Sequence, residues 1–274
     1  MNPSASNTSA SNTSALRTWH WTHGDDSAPL LLCLHGIGSC ADAFVGQQAL
    51  AGRSGMRVAA WDAPGYRNSP DPDVAPGIDG FADAAADLIR ELGHTSATVL
   101  GVSWGGVTAT RLVLRHPELV DRLVIVDSSV GSGTTPEQAE AMRGRSAALE
   151  DLGLEAFARS RAPVLLSDSA PAELVDQAAQ MMIDALRMPN YQWACDSMAE
   201  ADHRSQLPDI SCPTLVVVGS ADVVTPPERS QQLAEGIPGA KLVTIPGVGH
   251  ISNQEDPAAV NNAVAAFLAD NPLS

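Results

Sequence analysis

The sequence predicts an α/β fold, a mostly parallel sheet doubly wound with helices on both faces. Three observations carry that expectation. Short, β-branched runs alternate with longer stretches at helical spacing along most of the chain. The runs are apolar at nearly every position, as strands covered on both faces are. Gly, Pro or Asp bounds them, which marks where each strand stops.

In chain order, strands are expected over 16–21, 30–34, 57–61, 97–102, 123–126, 214–218 and 242–245. Between the first two, Gly24-Asp25-Asp26 is a turn signal consistent with a hairpin. Helices are expected over 79–92, 104–115, 227–236 and 257–269. Two stretches interrupt this march. Residues 63–77 are rich in Pro, Gly and Asp and read as a loop near the functional edge. Residues 131–207 carry Ala, Leu, Glu and Met at helical spacing, divided by Pro136, Pro163, Pro171 and Pro189. They read as a helical lid inserted into a core made of 16–130 and 208–274. Residues 1–15 repeat the unit SASNT twice between Ser4 and Thr13. Nothing there offsets chain entropy by burial, so a disordered tail is expected.

Composition narrows the function classes. Sixteen basic against 32 acidic side chains give a net charge of −16, and phosphate-backbone binding needs clustered Lys and Arg. Nucleic acid is excluded as a partner. The four cysteines show no C-x-x-C spacing, so a reduced, cytoplasmic setting is expected. No apolar run approaches the about 20 residues that span a bilayer, and no basic start precedes an apolar stretch. No His, Cys, Asp or Glu cluster has metal-ligand spacing, and no phosphate-cradling glycine motif appears. No cofactor is implied.

The chemistry gathers around Gly101-Val102-Ser103-Trp104-Gly105, a G-x-S-x-G run between a strand and a helix. That is the sequence of a nucleophile elbow, with glycines where a tight turn admits no side chain. A serine hydroxyl needs a base, and the base needs an orienting acid. His250, in Pro246-Gly247-Val248-Gly249-His250 after the last strand, is the best base. Asp222, in Gly219-Ser220-Ala221-Asp222 after the preceding strand, is the best acid. Asp127, at the end of the 123–126 strand, is its rival.

The order Ser103, Asp222, His250, and the spacing of motifs along the core, resemble the α/β-hydrolase family. The His35-Gly36-Ile37-Gly38 run after the 30–34 strand adds to that resemblance. It implies an oxyanion hole made by the backbone N–H groups of Ile37 and Trp104, with His35 a structural histidine holding that turn. Asp62 reads as a turn stabiliser. Gly36, Met181, Met182 and Trp193 are candidate pocket residues, although ordinary packing also explains Met and Trp on amphipathic helices. Arg143, Arg145, Arg159, Arg161 and Arg187 are concentrated in the insertion; solvated surface is the default for each, and a bidentate clamp on a substrate carboxylate is the alternative.

A serine nucleophile argues against the family members that attack with aspartate. The 249–257 segment and Thr225-Pro226-Pro227 resemble the 3-oxoadipate enol-lactonase group. Carbon–carbon hydrolases of that family often carry Trp shortly after the histidine, where this chain has Ile251, Ser252 and Asn253. The resemblance therefore implies a serine hydrolase of a small carboxylic ester or lactone, whose partners are an acyl substrate and water. Alternatives are a carbon–carbon or amide hydrolase acting on aromatic ring-cleavage products, and a non-catalytic ligand-binding member. Self-association is compatible with the sequence.

Overall fold

A computed structural model describes residues 16–273; the tail expected over 1–15 lies outside them. Seven strands form one sheet: β1 (Trp19–His23), β2 (Leu30–Leu34), β3 (Arg57–Asp62), β4 (Ala97–Val102), β5 (Val120–Val126), β6 (Thr214–Gly219) and β7 (Lys241–Ile245). Their spatial order is β1-β3-β2-β4-β5-β6-β7, and every pairing except β1 with β3 is parallel. The helices are α1 (Ala49–Ser54), α2 (Gly77–Glu91), α3 (Trp104–Arg115), α4 (Pro136–Leu152), α5 (Leu154–Arg161), α6 (Ala172–Ala185), α7 (Asn190–Glu200), α8 (Pro227–Gly236), α9 (Ser252–Glu255) and α10 (Pro257–Asp270).

The two-residue period of a strand builds two cores. Leu30, Leu32 and Leu34 of β2 face one way, into a cluster with Phe81 and Leu88 of α2 and Leu112 of α3. Leu31 and Cys33 face the other way, with Leu50 of α1 and Val264 and Phe267 of α10. This is why β2 is apolar at all five positions and fully buried. Among the described residues no helix is long and apolar enough to cross a membrane.

The hairpin expected at Gly24-Asp25-Asp26 does not form. The turn exists, with Asp25 accepting from the amide and hydroxyl of Ser27 at 2.8 and 2.7 Å, but it carries the chain past β3. There β1 pairs antiparallel with β3, Trp21 opposite Ala60, while β2 lies between β3 and β4. Burial decides this. All of β2 needs ladder partners on both sides, whereas β1 is largely exposed and half-buried, which suits an edge. Residues 41–54, for which the sequence predicted no element, form a 3-10 turn (Ala41–Gln48) running into α1.

Helices α4 to α7 fall between β5 and β6, and the prolines of that segment mark helix starts. Pro136 opens α4 behind the Thr135 cap, and Pro171 and Pro189 directly precede α6 and α7. Two groups of hydrogen bonds help hold these helices against the strand-end loops. Arg187 donates to the Arg67 and Ser69 carbonyls at 2.9 and 2.6 Å and to Asp71 at 2.6 Å, and Glu255 accepts from Gly249 and Ser167 amides at 2.9 and 3.1 Å.

The tightest packing lies at the crossing of β2, β4 and α3. A Cβ on Gly105 would sit 2.0 Å from the Leu34 carbonyl oxygen, and one on Gly101 would sit 2.1 Å from the Gly105 oxygen. Both obstacles are backbone, so no side-chain rotation relieves them. Gly105→Ala is expected to destabilise the protein by about 3 kcal/mol, lowering Tm by roughly 6–12 °C. Gly144→Ala on α4, where a Cβ meets nothing within 4 Å, serves as the thermal-melt control and is expected to hold or raise Tm.

Candidate active site

The C-terminal ends of parallel strands share one edge of the sheet, and the residues that follow β4, β6 and β7 meet there. Ser103 follows β4 with φ 55° and ψ −118°, in a region that a side chain other than glycine's occupies at a cost of about 1–3 kcal/mol. Its surroundings hold it there. The Ser103 amide donates to the Val126 carbonyl at 2.9 Å, its own carbonyl accepts from Gly106 at 2.9 Å, and the Ser128 hydroxyl donates to that carbonyl at 2.6 Å. The turn leaves the Ser103 side chain outside the strand, at the head of α3.

His250 lies 2.8 Å from the Ser103 Oγ through Nε2 and 2.9 Å from an Asp222 carboxylate oxygen through Nδ1. The imidazole and the carboxylate are both buried. The other Asp222 oxygen accepts from the Val224 and Thr225 amides at 2.8 and 2.9 Å, and the Thr225 hydroxyl donates to the first at 2.8 Å. Burial disfavours the charge of Asp222, but these bonds and that of His250 outweigh it and hold the carboxyl below its ordinary value. An ionised acceptor beside Nδ1 keeps the proton on that nitrogen and leaves Nε2 free to accept the serine proton.

Asp127, the rival acid, faces elsewhere. Its backbone turns at φ 47°, and its two oxygens accept from the Gly219 and Ser252 amides at 2.9 and 2.8 Å. Fully buried, its carboxyl is pushed up to about 7 by desolvation. It joins the end of β6 to the start of α9 and so braces the His250 loop.

The 35–38 turn is held by its histidine. His35 Nδ1 donates to the Gly36 carbonyl at 2.8 Å and Nε2 accepts from the Ala63 amide at 3.0 Å, so both ring nitrogens are occupied. The Tyr66 hydroxyl donates to the Ile37 carbonyl at 2.9 Å. Neither the Ile37 nor the Trp104 amide has an acceptor among the described residues, and Gly36 brings the turn so close that a Cβ there would lie 3.4 Å from the Ser103 Cβ. The Trp104 ring is buried against Tyr66, Phe81 and His35 and donates to Ser197 at 3.0 Å. Asp62 accepts from the Ala41 and Asn68 amides at 2.9 and 3.2 Å, a turn-stabilising position.

Two cavities meet at Ser103. The first is lined by Gly36, Ile37, Met181, Met182 and His250 together with Phe157 and Tyr191. It offers about 60 Å³ to the centres of water-sized groups, where one water needs about 10–15 Å³, so a group of several heavy atoms fits. The second is lined by Ile37, Trp104, Met142, Met198 and Thr225. Trp193 lines neither, which corrects its place among the pocket residues. Tyr191 and Met198 lie on the face of α7 turned to the cavities, and Trp193 is about 200° round the helix from Tyr191. The sequence also missed Phe157 and Tyr191, whose rings meet edge to face at 5.7 Å, because nothing in a helical segment shows which of its aromatic residues faces a cavity. Among the described residues, no three or more His, Cys, Asp or Glu side chains gather where they could hold a metal ion.

A parallel sheet carrying a serine, an acid and a histidine in that chain order on its C-terminal edge, with helices inserted after β5, is the architecture of a hydrolase. The chain belongs to the alpha/beta hydrolase fold family, whose profile matches residues 29–257. It is 29% identical to 3-oxoadipate enol-lactonase 2 of Acinetobacter baylyi over 90% of this chain and 91% of that protein. It is 30% identical to a 2-hydroxy-6-oxononadienedioate/2-hydroxy-6-oxononatrienedioate hydrolase of Pseudomonas sp over 79% and 78%. Among solved structures, a thermophilic esterase from Thermogutta terrifontis with malate bound superposes with a TM-score of 0.84 at 26% identity, covering 93% of this chain and 94% of that one.

Proposed function

We propose that the protein is a serine hydrolase cleaving a small carboxylic ester or lactone through an acyl-enzyme. The unbroken row from Ser103 through His250 to Asp222, with contacts of 2.8 and 2.9 Å, carries this reading. Ser103 Oγ attacks the acyl carbon while His250 Nε2 takes its proton. The carbonyl oxygen, now negative, receives the Ile37 and Trp104 amides, each worth about 10²-fold or more in rate. His250 returns the proton to the departing alkoxide, which leaves from an ester and stays tethered to the acyl chain from a lactone. Water, deprotonated by the same nitrogen, then attacks the acyl carbon; the acyl–Oγ bond breaks, Oγ takes the proton back from Nε2, and the carboxylic acid product leaves. Asp222 holds the imidazole tautomer throughout.

The enol-lactonase and esterase among its relatives support carboxylic esters and lactones as the substrate class. The 2-hydroxy-6-oxononadienedioate/2-hydroxy-6-oxononatrienedioate hydrolase at 30% identity supports a second reading, cleavage of a carbon–carbon bond beside a ketone. One assay separates the readings. One portion of the purified protein is treated with a fluorophosphonate probe and mapped by mass spectrometry, and a second, untreated portion is offered an aryl ester, an enol-lactone, an amide and a vinylogous diketone. Labelling at Ser103 and turnover of the ester and lactone are expected. A folded protein that takes no label overturns the catalytic reading and favours a ligand-binding role, and turnover of the diketone alone favours the second reading.

A further inference from the structure

We infer that Arg145 and Arg161 form a subsite for a carboxylate carried by the substrate, in the wall of the first cavity, which Ser103 also lines. The inference rests on the serine-hydrolase reading for the bond cleaved, and on independent observations for the charge.

With 32 acidic side chains to 16 basic ones, a carboxylate partner is the ordinary fate of an arginine in this chain. The other arginines of the insertion follow it. Arg143 lies 3.7 Å from Asp196, Arg159 3.2 Å from Glu155, Arg187 2.6 Å from Asp71 and Arg204 2.6 Å from Asp202. Arg145 and Arg161 have neither a carboxylate nor a hydrogen-bond acceptor among the described residues, and both are only half exposed. Both line the cavity that contains Ser103 and His250, and Arg145 also lines the second cavity at their junction. No Asp or Glu lines either one.

Two cations on a partly dehydrated wall repel each other and lack the solvation that water would give them. Burial, and then the like charge of Arg145, hold the Arg161 guanidinium below its ordinary value. An anion between them relieves both effects, and a carboxylate matches the planar donor fork of each guanidinium. Much of the remaining lining, including Met181, Met182, Leu165 and Ile251, is apolar, and Ser39, Asn253 and Gln254 add only neutral polar groups, so a negatively charged group entering this cavity finds its fixed positive charge at the arginines. The acceptable substrate is then an ester or lactone whose acyl portion ends in a carboxylate a few atoms from the scissile bond.

The test compares p-nitrophenyl hemisuccinate with its neutral methyl ester in the wild type, Arg145→Met, Arg161→Met and the double variant. The wild type is expected to prefer the anionic ester by about 10–100-fold in kcat/KM, the range of a hydrogen bond to a charged group. Each single change lowers that preference, chiefly through KM for the anionic ester, and the double change brings the ratio near one while fluorophosphonate labelling of Ser103 shows that the fold is intact. A wild type without preference, or a preference that survives in the double variant, overturns the inference. Binding is read apart from catalysis by the Tm shift that succinate produces in Ser103→Ala: a shift that disappears when both arginines are also changed supports the subsite even if neither ester is cleaved, and no shift counts against it. Failure of the serine-hydrolase reading shows separately, as no label at Ser103.

Discussion

Ser103→Ala is expected to lower kcat by about 10⁵–10⁶-fold, the loss typical of removing the nucleophile from such a row, with the protein remaining folded. The variant keeps the left-handed backbone and its bonds to Val126 and Gly106, so its melting temperature stays close to the parent's. Ser103→Gly separates strain from chemistry. With φ at 55°, glycine removes a steric cost of about 1–2 kcal/mol, and this variant is expected to be more stable and equally inactive. Tightly packed neighbours keep the serine in that conformation because it delivers Oγ to His250. Near-parental turnover in Ser103→Ala, measured with an aryl ester on protein freed of contaminating esterase, would mean that the reaction proceeds elsewhere.

Asp222→Asn is expected to cost about 10⁴-fold in kcat, as replacing the orienting carboxylate does in other Ser-His-Asp sites. One amide oxygen keeps the Val224 and Thr225 contacts, which puts the NH2 group against His250 Nδ1. The ring then carries its proton on Nε2, facing a hydroxyl from which it can no longer accept. Asp127→Asn has a different signature. Its NH2 group meets the Gly219 or the Ser252 amide, donor against donor, and a buried donor left without an acceptor costs about 1–3 kcal/mol. The principal effect is a lower Tm, with activity falling less than in Asp222→Asn. The pH dependence follows from burial. The Asp127 carboxyl is raised from 3.8 to about 7, so the folded state binds its proton more tightly than the unfolded chain does. Its contribution to stability is complete below pH 3.8 and is lost as the pH rises through about 7. The stability gap between parent and Asp127→Asn is therefore widest in acid and narrows towards neutrality. If Asp127→Asn abolishes turnover at full stability while Asp222→Asn is harmless, the two carboxylates exchange roles.

Much of this architecture is legible in the chain because burial imposes a simple pattern. β2 and β4 match their sequence-predicted bounds residue for residue, since strands covered on both faces are apolar at nearly every position and stop where a polar residue, His35 or Ser103, opens the next turn. The partner of β1 was not legible. A turn after a strand is compatible with pairing to the next strand or with skipping it, and only the demand of β2 for two neighbours decides between them. The helical character of 131–207 could be read from its spacing, but not which of its side chains face the cavities: Tyr191 does and Trp193 does not, two residues apart on α7.

The placement of a serine, a histidine and two candidate aspartates at the ends of parallel strands was written in the chain, because each comes at or shortly after the end of an apolar run, and parallel strands end on one edge. Which aspartate meets the histidine was decided only by the tertiary structure. Asp127 and Asp222 follow neighbouring strands, and a backbone angle at Asp127 turns its carboxylate to two amides while Asp222 faces the ring. The arginines divide in the same way. Sequence places six of them between residues 131 and 207 of an acidic chain, all with the same charge; only the fold shows that four are neutralised by nearby carboxylates and that Arg145 and Arg161 line the cavity of Ser103 without one, because which carboxylates lie within reach depends on how separate segments pack.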